Sequence, residues 1–384
     1  MPASGATVRR PDGIVIGVPS WQEAATIGAH TRRIDEALSS AGFGREAVIV
    51  NADNASPDGT AEVFLAAPTR HRKCSLITAR GKGSNEAAMF EFALHAGAEV
   101  FVTLDADLEV LPHDWLPALA GPVLSGAADL VIPLYRRFWY DGTITNQVVA
   151  PLVLGVTGQP IRQPIGGDYA FSAKALRLLS GRPWPEAALG FGWDIHMVAL
   201  ALRLGLVHRQ AELSYGKVHS WRGDSPAEID QDMRRKIAEV VTATFDGLAV
   251  LPVAATDELH PFPAAPPAGR SPKDYDLRPA EELTSGYWHR ERDSPWTRRL
   301  LEGIAPIGDD GYPVLDDQRW AMMLARAFRP TPSPELLAAL HALYFVRQIQ
   351  VLPQYRELAP DKVDARVYEL AAHLRHALLD RSGG

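Results

Sequence analysis

The chain has 384 residues, 46% apolar and 22% charged, an ordinary globular composition that excludes disorder as the dominant state. Its 39 basic and 46 acidic residues give a net charge of −7, without the basic excess that nucleic-acid proteins need, so no nucleic-acid partner is expected. A single cysteine, Cys74, excludes a disulfide scaffold or a cysteine-rich zinc site within one chain.

The opening MPASGATVRRPDG has no apolar stretch, so no secretory signal is predicted. No run of 18 apolar residues points to a membrane helix, and the expectation is a cytoplasmic protein without membrane insertion. GIVIGVP (13–19) reads as the first strand, followed by helical spacing from Glu23 to Ser40. EAVIVNAD (46–53) is the second strand, and PDGTAEVFLAA begins a helix with Ser56 as its N-cap. CSLITAR (74–80), EVFVTLDAD (99–107) and DLVIPLY (129–135) are further strands, with a helix over 84–97. Near-continuous apolar strands separated by helices predict an α/β fold with a mostly parallel, doubly wound sheet covered on both faces. Ligands of such sheets sit beyond the carboxyl ends of the strands.

After Asp141 the rhythm loosens. Thr143 to Val156 looks helical, PIGGDYAFS (164–172) reads as a loop entering a strand, and GFGWDIHMVALALRLG (190–205) is glycine-rich and then helical. AELSYGKVHSWRG (211–223) is a strand ending in a loop, and a long helix follows from Ala227 to Val250. Residues 252–272 hold six prolines and mark a linker or an extended wrapping arm. From Pro279 to Leu379 the pattern is mostly helical. There LLAALHALYFVRQIQVL (336–352) is too apolar to stay exposed, so it is predicted to pack on the rest of the chain or on a second subunit. A homo-oligomer, a dimer, is the expected assembly.

Asp105 and Asp107 stand two residues apart at the end of an apolar strand, which would aim both carboxylates into the ligand crevice. Mg²⁺ or Mn²⁺ binds a few such hard oxygens and leaves room for substrate phosphates. Asp-x-Asp also arises by chance in solvated loops; its placement after FVTL favours the metal reading. Gly81-Lys82-Gly83 follows the third strand, and its lysine offers a charge to phosphate or ribose oxygens, though the spacing is not that of a Walker loop. Pro19-Ser20-Trp21-Gln22-Glu23 leaves the first strand without a Gly-x-Gly-x-x-Gly fingerprint. Its polar groups could read a nucleobase, while Ser20 and Glu23 also have the spacing of a capping box. Asp53-Asn54-Ala55-Ser56 carries the same ambiguity. His219 follows a predicted strand in GKVHSW and could complete a carboxylate metal site, although a lone histidine is more often structural. Asp194, at the start of an apolar helix, suits the helix dipole or a nearby sugar. Arg136, Arg137, Thr143 and Thr145 form a polar set suited to a carboxylate or phosphate, or to a solvated loop.

Taken in this order, the segments resemble nucleotide-sugar glycosyltransferases of the GT-A fold, and within them the retaining family of glucosyl-3-phosphoglycerate and mannosylglycerate synthases. The resemblance covers about Gly13 to Val250. VPSWQEAATI, with Pro19, Ser20 and Glu23, and DNASPDGT, with Asp53, resemble the two nucleotide-binding segments. GKG and LDAD resemble the donor-contacting lysine loop (Lys82) and the metal motif (Asp105, Asp107). QPIGGDYAFS, with Gly166 and Gly167, resembles the acceptor loop; GWDI places Asp194 at the active-site acid, and GKVHSWRG places His219 at the metal-binding histidine. One departure stands out: Gly142-Thr143-Ile144-Thr145 replaces the Gly-Arg-Val-Thr of the phosphoglycerate enzymes. The resemblance therefore implies transfer of a hexose from UDP-glucose or GDP-mannose to D-glycerate, with 3-phosphoglycerate as the alternative acceptor. It implies a GT-A catalytic domain over 1–250 with a donor half at about 13–135 and an acceptor half at about 136–250. A proline-rich linker (251–278) and a helical C-terminal region (279–384) follow. A sugar-phosphate nucleotidyltransferase is the rival enzyme, but VPSWQEAA lacks the glycine-rich basic loop it needs. A non-catalytic sugar-nucleotide-binding protein is the other rival.

Overall fold

Seven strands share one sheet, in the order β3-β2-β1-β4-β6-β5-β7, in the computed structural model, which describes residues 13–217, 226–254, 259–263 and 277–382. In chain order the first elements are β1 (Ile14–Ser20), α1 (Ile27–Ala41), β2 (Ala47–Asp53), α2 (Thr60–Ala66), β3 (Arg72–Ile77), α3 (Lys82–His95), β4 (Val100–Thr103), α4 (Trp115–Leu124) and β5 (Leu130–Arg136). A π-helical turn (Thr145–Val149) runs into α5 (Ala150–Thr157), followed by β6 (Tyr169–Ser172), α6 (Ala173–Ser180), α7 (Glu186–Leu189), α8 (Trp193–Arg203) and β7 (His208–Gly216). The remaining helices are α9 (Pro226–Ala249), α10 (Arg278–Glu291), α11 (Pro295–Leu301), α12 (Asp317–Ala327), α13 (Pro334–Arg356) and α14 (Pro360–Ser382). The chain divides into two compact units. One comprises Met1–Val131, Gly167–Pro183 and Leu206–Arg209; the other comprises Ile132–Gly166, Trp184–Gly205 and Gln210–Gly384.

In the first unit β1 pairs in parallel with β2 and β4, and β2 with β3. The strands β1, β2 and β4 are buried throughout, as their Val/Ile runs require. The edge strand β3 is partly exposed and carries Arg72 and Lys73, which discourage edge-to-edge pairing. The departure from parallel order is β6, which runs antiparallel to β4 and to the start of β5. Gly17 is where two layers meet: a Cβ there would lie 2.7 Å from the Phe101 ring and 2.8 Å from Met89 Sδ. Phe101 continues into an aromatic cluster with Phe90 and Phe171, with centroids 4.9 to 6.2 Å apart. The helices α1, α2 and α4 pack together, as do α3 and α6, and members of both groups touch sheet strands.

Two capping assignments read from the sequence are wrong. α1 begins at Ile27 rather than Glu23, and its N-cap, Thr26, makes no side-chain cap bond. Ser20 belongs to β1, so no capping box forms. α2 begins at Thr60 behind Gly59, which has φ 83°, so Ser56 is not its cap. In both cases the hydroxyl bonds a buried carboxylate in preference to a helix end.

The second unit is organised around the π turn. Gln147, fully buried, accepts from Arg347 Nε at 2.9 Å through its side-chain oxygen and donates to the Tyr355 hydroxyl at 2.7 Å. Its carbonyl accepts from Trp320 Nε1 at 2.6 Å. One residue thus fastens the turn to α12 and to two points of α13. Helix α5 meets α14 closely at Gly155, where a Cβ would stand 3.2 Å from the Ala371 carbonyl oxygen. Around them Leu154, Val351, Tyr355 and Val367 form an apolar cluster with Leu259 and Phe262. The latter two are the described remnants of the proline-rich stretch; most of the expected wrapping arm, 255–258 and 264–276, lies outside the described residues. By length and composition α13 could cross a membrane, but 72% of its apolar window is buried within the protein.

Replacing Gln147 by Ala strands the Tyr355 hydroxyl and one guanidinium nitrogen in the interior. We expect a loss of about 3 kcal/mol, read as a lower urea midpoint; a loss below about 1 kcal/mol would refute the central role of this side chain.

Candidate active site

The carboxyl ends of the first three strands finish level. Ser20 of β1 pairs with Asp53 of β2, and Asp53 with Ile77 of β3. Strands that end together leave loop backbone groups to be satisfied, and the sequence supplies short polar side chains for this. Asp53, 1% exposed, accepts at Oδ1 from Ser20 Oγ (3.0 Å) and Ser56 Oγ (2.6 Å), and at Oδ2 from the Ser56 N–H (2.7 Å). Asn51 donates to Ser20 Oγ at 2.8 Å and to the Val18 carbonyl. Pro19 is buried opposite Ala52. Glu23, 4% exposed, accepts from Thr26 Oγ1 at 2.9 Å, and its N–H donates to Thr60 Oγ1 at 2.9 Å. Asp53 is therefore a loop organiser in this structure, and Glu23 is anchored at the head of α1.

Asn54 extends the same network. Its side-chain amide donates to Asn85 Oδ1 (2.7 Å) and Thr78 Oγ1 (3.0 Å), and its oxygen accepts from the Gly81 N–H. Asn85 in turn donates to the Ser20 carbonyl at 3.2 Å. Gly81 has φ 129° and ψ 140°, outside the range that side chains tolerate, and it turns the chain directly into α3. Lys82 is thereby the first residue of the helix, and its Nζ lies 2.9 Å from Asp105 Oδ1. Both side chains are largely shielded, at 13% and 19% exposure. Nearby, the Arg80 guanidinium lies 3.8 Å from the centre of the Trp21 ring. The Asp105 N–H donates to the buried Asp168 carboxylate at 2.7 Å. Asp107 follows two residues later with its Oδ1 buried. Gly167, with φ 96°, precedes Asp168 and supplies the turn into β6.

The chemistry of this corner suits a divalent cation shared with phosphates. Asp105 and Asp107 are hard oxygen donors, and Mg²⁺ characteristically takes one or two carboxylates plus substrate oxygens. Among the described residues no three metal-ligating side chains cluster. His219, the expected third ligand, lies outside the described residues.

The other expected residues belong to the second unit. Arg137 donates to Gln163 Oε1 at 3.3 Å and lies over the Tyr135 ring, while Arg136 Nε is buried without a hydrogen-bond partner. Thr143 shares a 2.7 Å hydrogen bond with the Tyr344 hydroxyl and accepts from Gln348 at 3.3 Å. Thr145, 3% exposed, opens the π turn, and its carbonyl accepts from the Ala150 N–H. Gly166 is pressed against Pro133, where a Cβ would come within 2.2 Å, and its carbonyl accepts from the buried Lys217. Asp194 is in the first turn of α8 and 7% exposed. The glycines before it have a packing reason: a Cβ on Gly190 would strike Glu239 Oε2 at 2.2 Å, and one on Gly192 the Ala187 carbonyl at 2.5 Å. Burial raises the Glu239 pKa, against the opposing hydrogen bond from the Phe191 N–H.

Residues 16–177 match the profile of glycosyl transferase family 2. A polyprenol monophosphomannose synthase of Mycolicibacterium smegmatis is 31% identical over 156 residues, 40% of this chain; the match spans 55% of that relative's length. Glucosyl-3-phosphoglycerate synthase of Mycobacterium tuberculosis, solved with phosphoglyceric acid, is 25% identical, with 61% of this chain and 80% of that chain aligned and a TM-score of 0.46. The same enzyme with Mg²⁺ and uridine diphosphate gives 24%, 61%, 79% and 0.46.

Within the matched segment, three positioning residues escaped the sequence reading. Asn85 sits inside a helix and Asp168 beside a loop expected to contact the acceptor, so neither has a motif spacing of its own. Asn54 stood beside Asp53 with nothing to show that its amide would bind three loops.

Asp58 offers a test of the loop architecture. Burial works to raise its pKa, but bonds from Thr60 Oγ1 (2.6 Å) and the Ala24 N–H (3.1 Å) outweigh it and leave the carboxyl below its ordinary value. A depressed folded-state pKa stabilises above the unfolded value of about 3.9 and is lost as pH falls through the folded value. We expect Asp58→Asn to be less stable than wild type by a constant margin above about pH 5, with the margin closing toward pH 3. Unfolding midpoints measured across that range check it; a pH-independent margin would contradict it.

Proposed function

We propose that the protein is a metal-dependent, retaining hexosyltransferase that uses UDP-glucose or GDP-mannose as donor and D-glycerate or a related small acid as acceptor. The observation that carries this reading is the shielded Lys82–Asp105 pair, 2.9 Å apart, with Asp107 two residues on, within the segment that matches the glycosyl transferase family 2 profile. In the transfer, the bond from the anomeric carbon to the diphosphate oxygen breaks. The acceptor hydroxyl oxygen takes that position on the same face, and its proton leaves with the nucleoside diphosphate.

Asp105, Asp107 and His219 are assigned as the metal-binding set. Mg²⁺ or Mn²⁺ there compensates the charge of the leaving diphosphate. Lys82 adds a fixed cation on the donor side, and Asp105 limits its motion. Pro19, Ser20, Glu23 and Asp53 shape the nucleotide loops through the bonds described above. Asp194 is assigned to orient the acceptor or stabilise positive charge developing on the sugar. Arg136, Arg137, Thr143, Thr145, Gly166 and Gly167 are assigned to the acceptor. Of these, Arg136 and Arg137 provide the positive charge that a carboxylate needs. The Thr143 hydroxyl is already bonded to Tyr344, which supports a positioning role for it. A glycosylglycerate would be the product, and a cytoplasmic homodimer is the proposed setting. A mannosyl donor has its own support in the 31% identical relative, whose name specifies mannose.

A donor-by-acceptor screen with Mg²⁺ and Mn²⁺, read by product mass, tests the reading directly. We expect D-glycerate to give a higher kcat/KM than 3-phosphoglycerate, and Thr143→Arg to move the ratio toward the phosphorylated acid. A strong wild-type preference for 3-phosphoglycerate would overturn the acceptor assignment. Asp107→Asn is expected to cut kcat/KM by about a hundredfold with the fold intact. Undiminished, metal-independent turnover in that variant would overturn the metal assignment.

A further inference from the structure

A small cavity of about 50 Å³ lies within the second unit, where the segment after β5 and the π turn meet α14 and the residues just before it. Room on this scale takes about three waters and falls far short of a site for a whole ligand, so it suits one small polar group. Its polar lining consists mostly of donors. Asn146, in the π turn, is 5% exposed; its N–H donates to the Gly142 carbonyl at 2.8 Å, and its side-chain amide makes no hydrogen bond among the described residues. Arg162, 3% exposed, is engaged by Asp364, with Nε 2.6 Å from Oδ1. Arg137 has no carboxylate in ion-pair range among the described residues, and its hydrogen bond there runs from Nε to Gln163 Oε1 at 3.3 Å. The same guanidinium borders the turn assigned to the acceptor: a Cβ on Gly142 would lie 3.8 Å from both Arg137 Nε and Thr145 Oγ1.

Asp364 is the acid of this lining and is paired with Arg162, so the charge of Arg137 is left over. A guanidinium without an ion pair, on the same cavity as an unbonded amide, is complementary to an anion that accepts hydrogen bonds from both. A carboxylate has the planar, two-oxygen shape that a guanidinium matches, and it fits the volume. Leu358 and Val363 supply apolar wall, where a second charge would find no partner. We infer that this cavity seats the carboxylate of a short hydroxy acid, with Arg137 and the Asn146 amide as its donors. The inference rests on the proposed transfer of a sugar to a small acid and assigns the seat of that acid's charged end. Because Val363 and Asp364 belong to α14, a C-terminal helix takes part in choosing the acceptor.

Calorimetric titration of the full-length protein with D-glycerate, alone and with Mg²⁺ plus UDP or GDP, tests this. Saturable binding of one glycerate per chain is expected, with glyceramide, its uncharged counterpart, at least ~10-fold weaker. Arg137→Gln and Asn146→Asp should each weaken glycerate at least ~10-fold, the second by placing a carboxylate of its own in the cavity. Arg137 is half-buried and makes no ion pair among the described residues, so its variant is expected to fold, and circular dichroism checks both. If Asn146→Asp does not fold, Arg137→Gln decides. In transfer assays the same variants should raise KM for glycerate and leave KM for the nucleotide sugar unchanged. No saturable glycerate binding under any of these conditions would overturn the subsite, as would equal affinity for glyceramide, or an Arg137→Gln variant that binds glycerate like wild type. Binding with these losses but no transfer to glycerate would leave the subsite standing and overturn the transfer reading. Transfer with KM for glycerate unchanged in both variants would do the reverse.

Discussion

Parallel strands that end at the same level must have their exit loops held together by something other than the sheet. In the first unit that role falls to two adjacent residues, Asp53 and Asn54. Asp53 collects the hydroxyls of Ser20 and Ser56. Asn54 reaches across to Thr78, Gly81 and Asn85. Because the Gly81 backbone is fixed by this amide, α3 starts where it does, and Lys82 is delivered to Asp105. The ion pair that carries the functional reading is thus a consequence of a largely buried hydrogen-bond network one strand away. Such networks are worth most when every member is satisfied, and here the members largely satisfy one another.

The parallel strands β1, β2 and β4 were legible in the sequence because they are buried throughout and read as continuous apolar runs. The strand-end positions of Lys82, Asp105 and Asp107 followed from the same reading. Less legible was anything that depends on a side chain choosing between two partners. Ser20 and Ser56 have the composition of helix caps, but a nearby buried carboxylate is a stronger acceptor than a helix end is a donor, and both hydroxyls went to Asp53. Glycines 190 and 192 were open to a ligand-approach reading; their neighbours in α7 and α9 give them a steric one. The reversal of β6 could not be foreseen from YAFS, since four apolar residues look alike in either direction. Asp168 was missed for that reason: only an antiparallel β6 brings its leading end to the carboxyl end of β4.

The second unit shows a different economy. Gln147, Arg347, Tyr355 and Asp317 form one linked polar group, and these link helices far apart in the chain. The segment after β5 and the C-terminal helices share one compact unit. Thr143 and Thr145, read as part of an acceptor set, stand on the same turn as this hub, so their placement depends on helices some two hundred residues later.

The π turn also decides which way its neighbours face. The Ala150 N–H reaches back five residues to the Thr145 carbonyl, one more than an α-helix allows. A turn of this kind is what a helix becomes when it absorbs one additional residue without unwinding. Each residue of an α-helix advances the chain by about 100°, so the extra one rotates Thr143 and Thr145 relative to the face of α5 that meets α14 at Gly155. The direction of these side chains is thus set by the length of one turn, which Gln147 ties down. Deleting one residue from 145–149 would rotate them back by about 100° relative to α5.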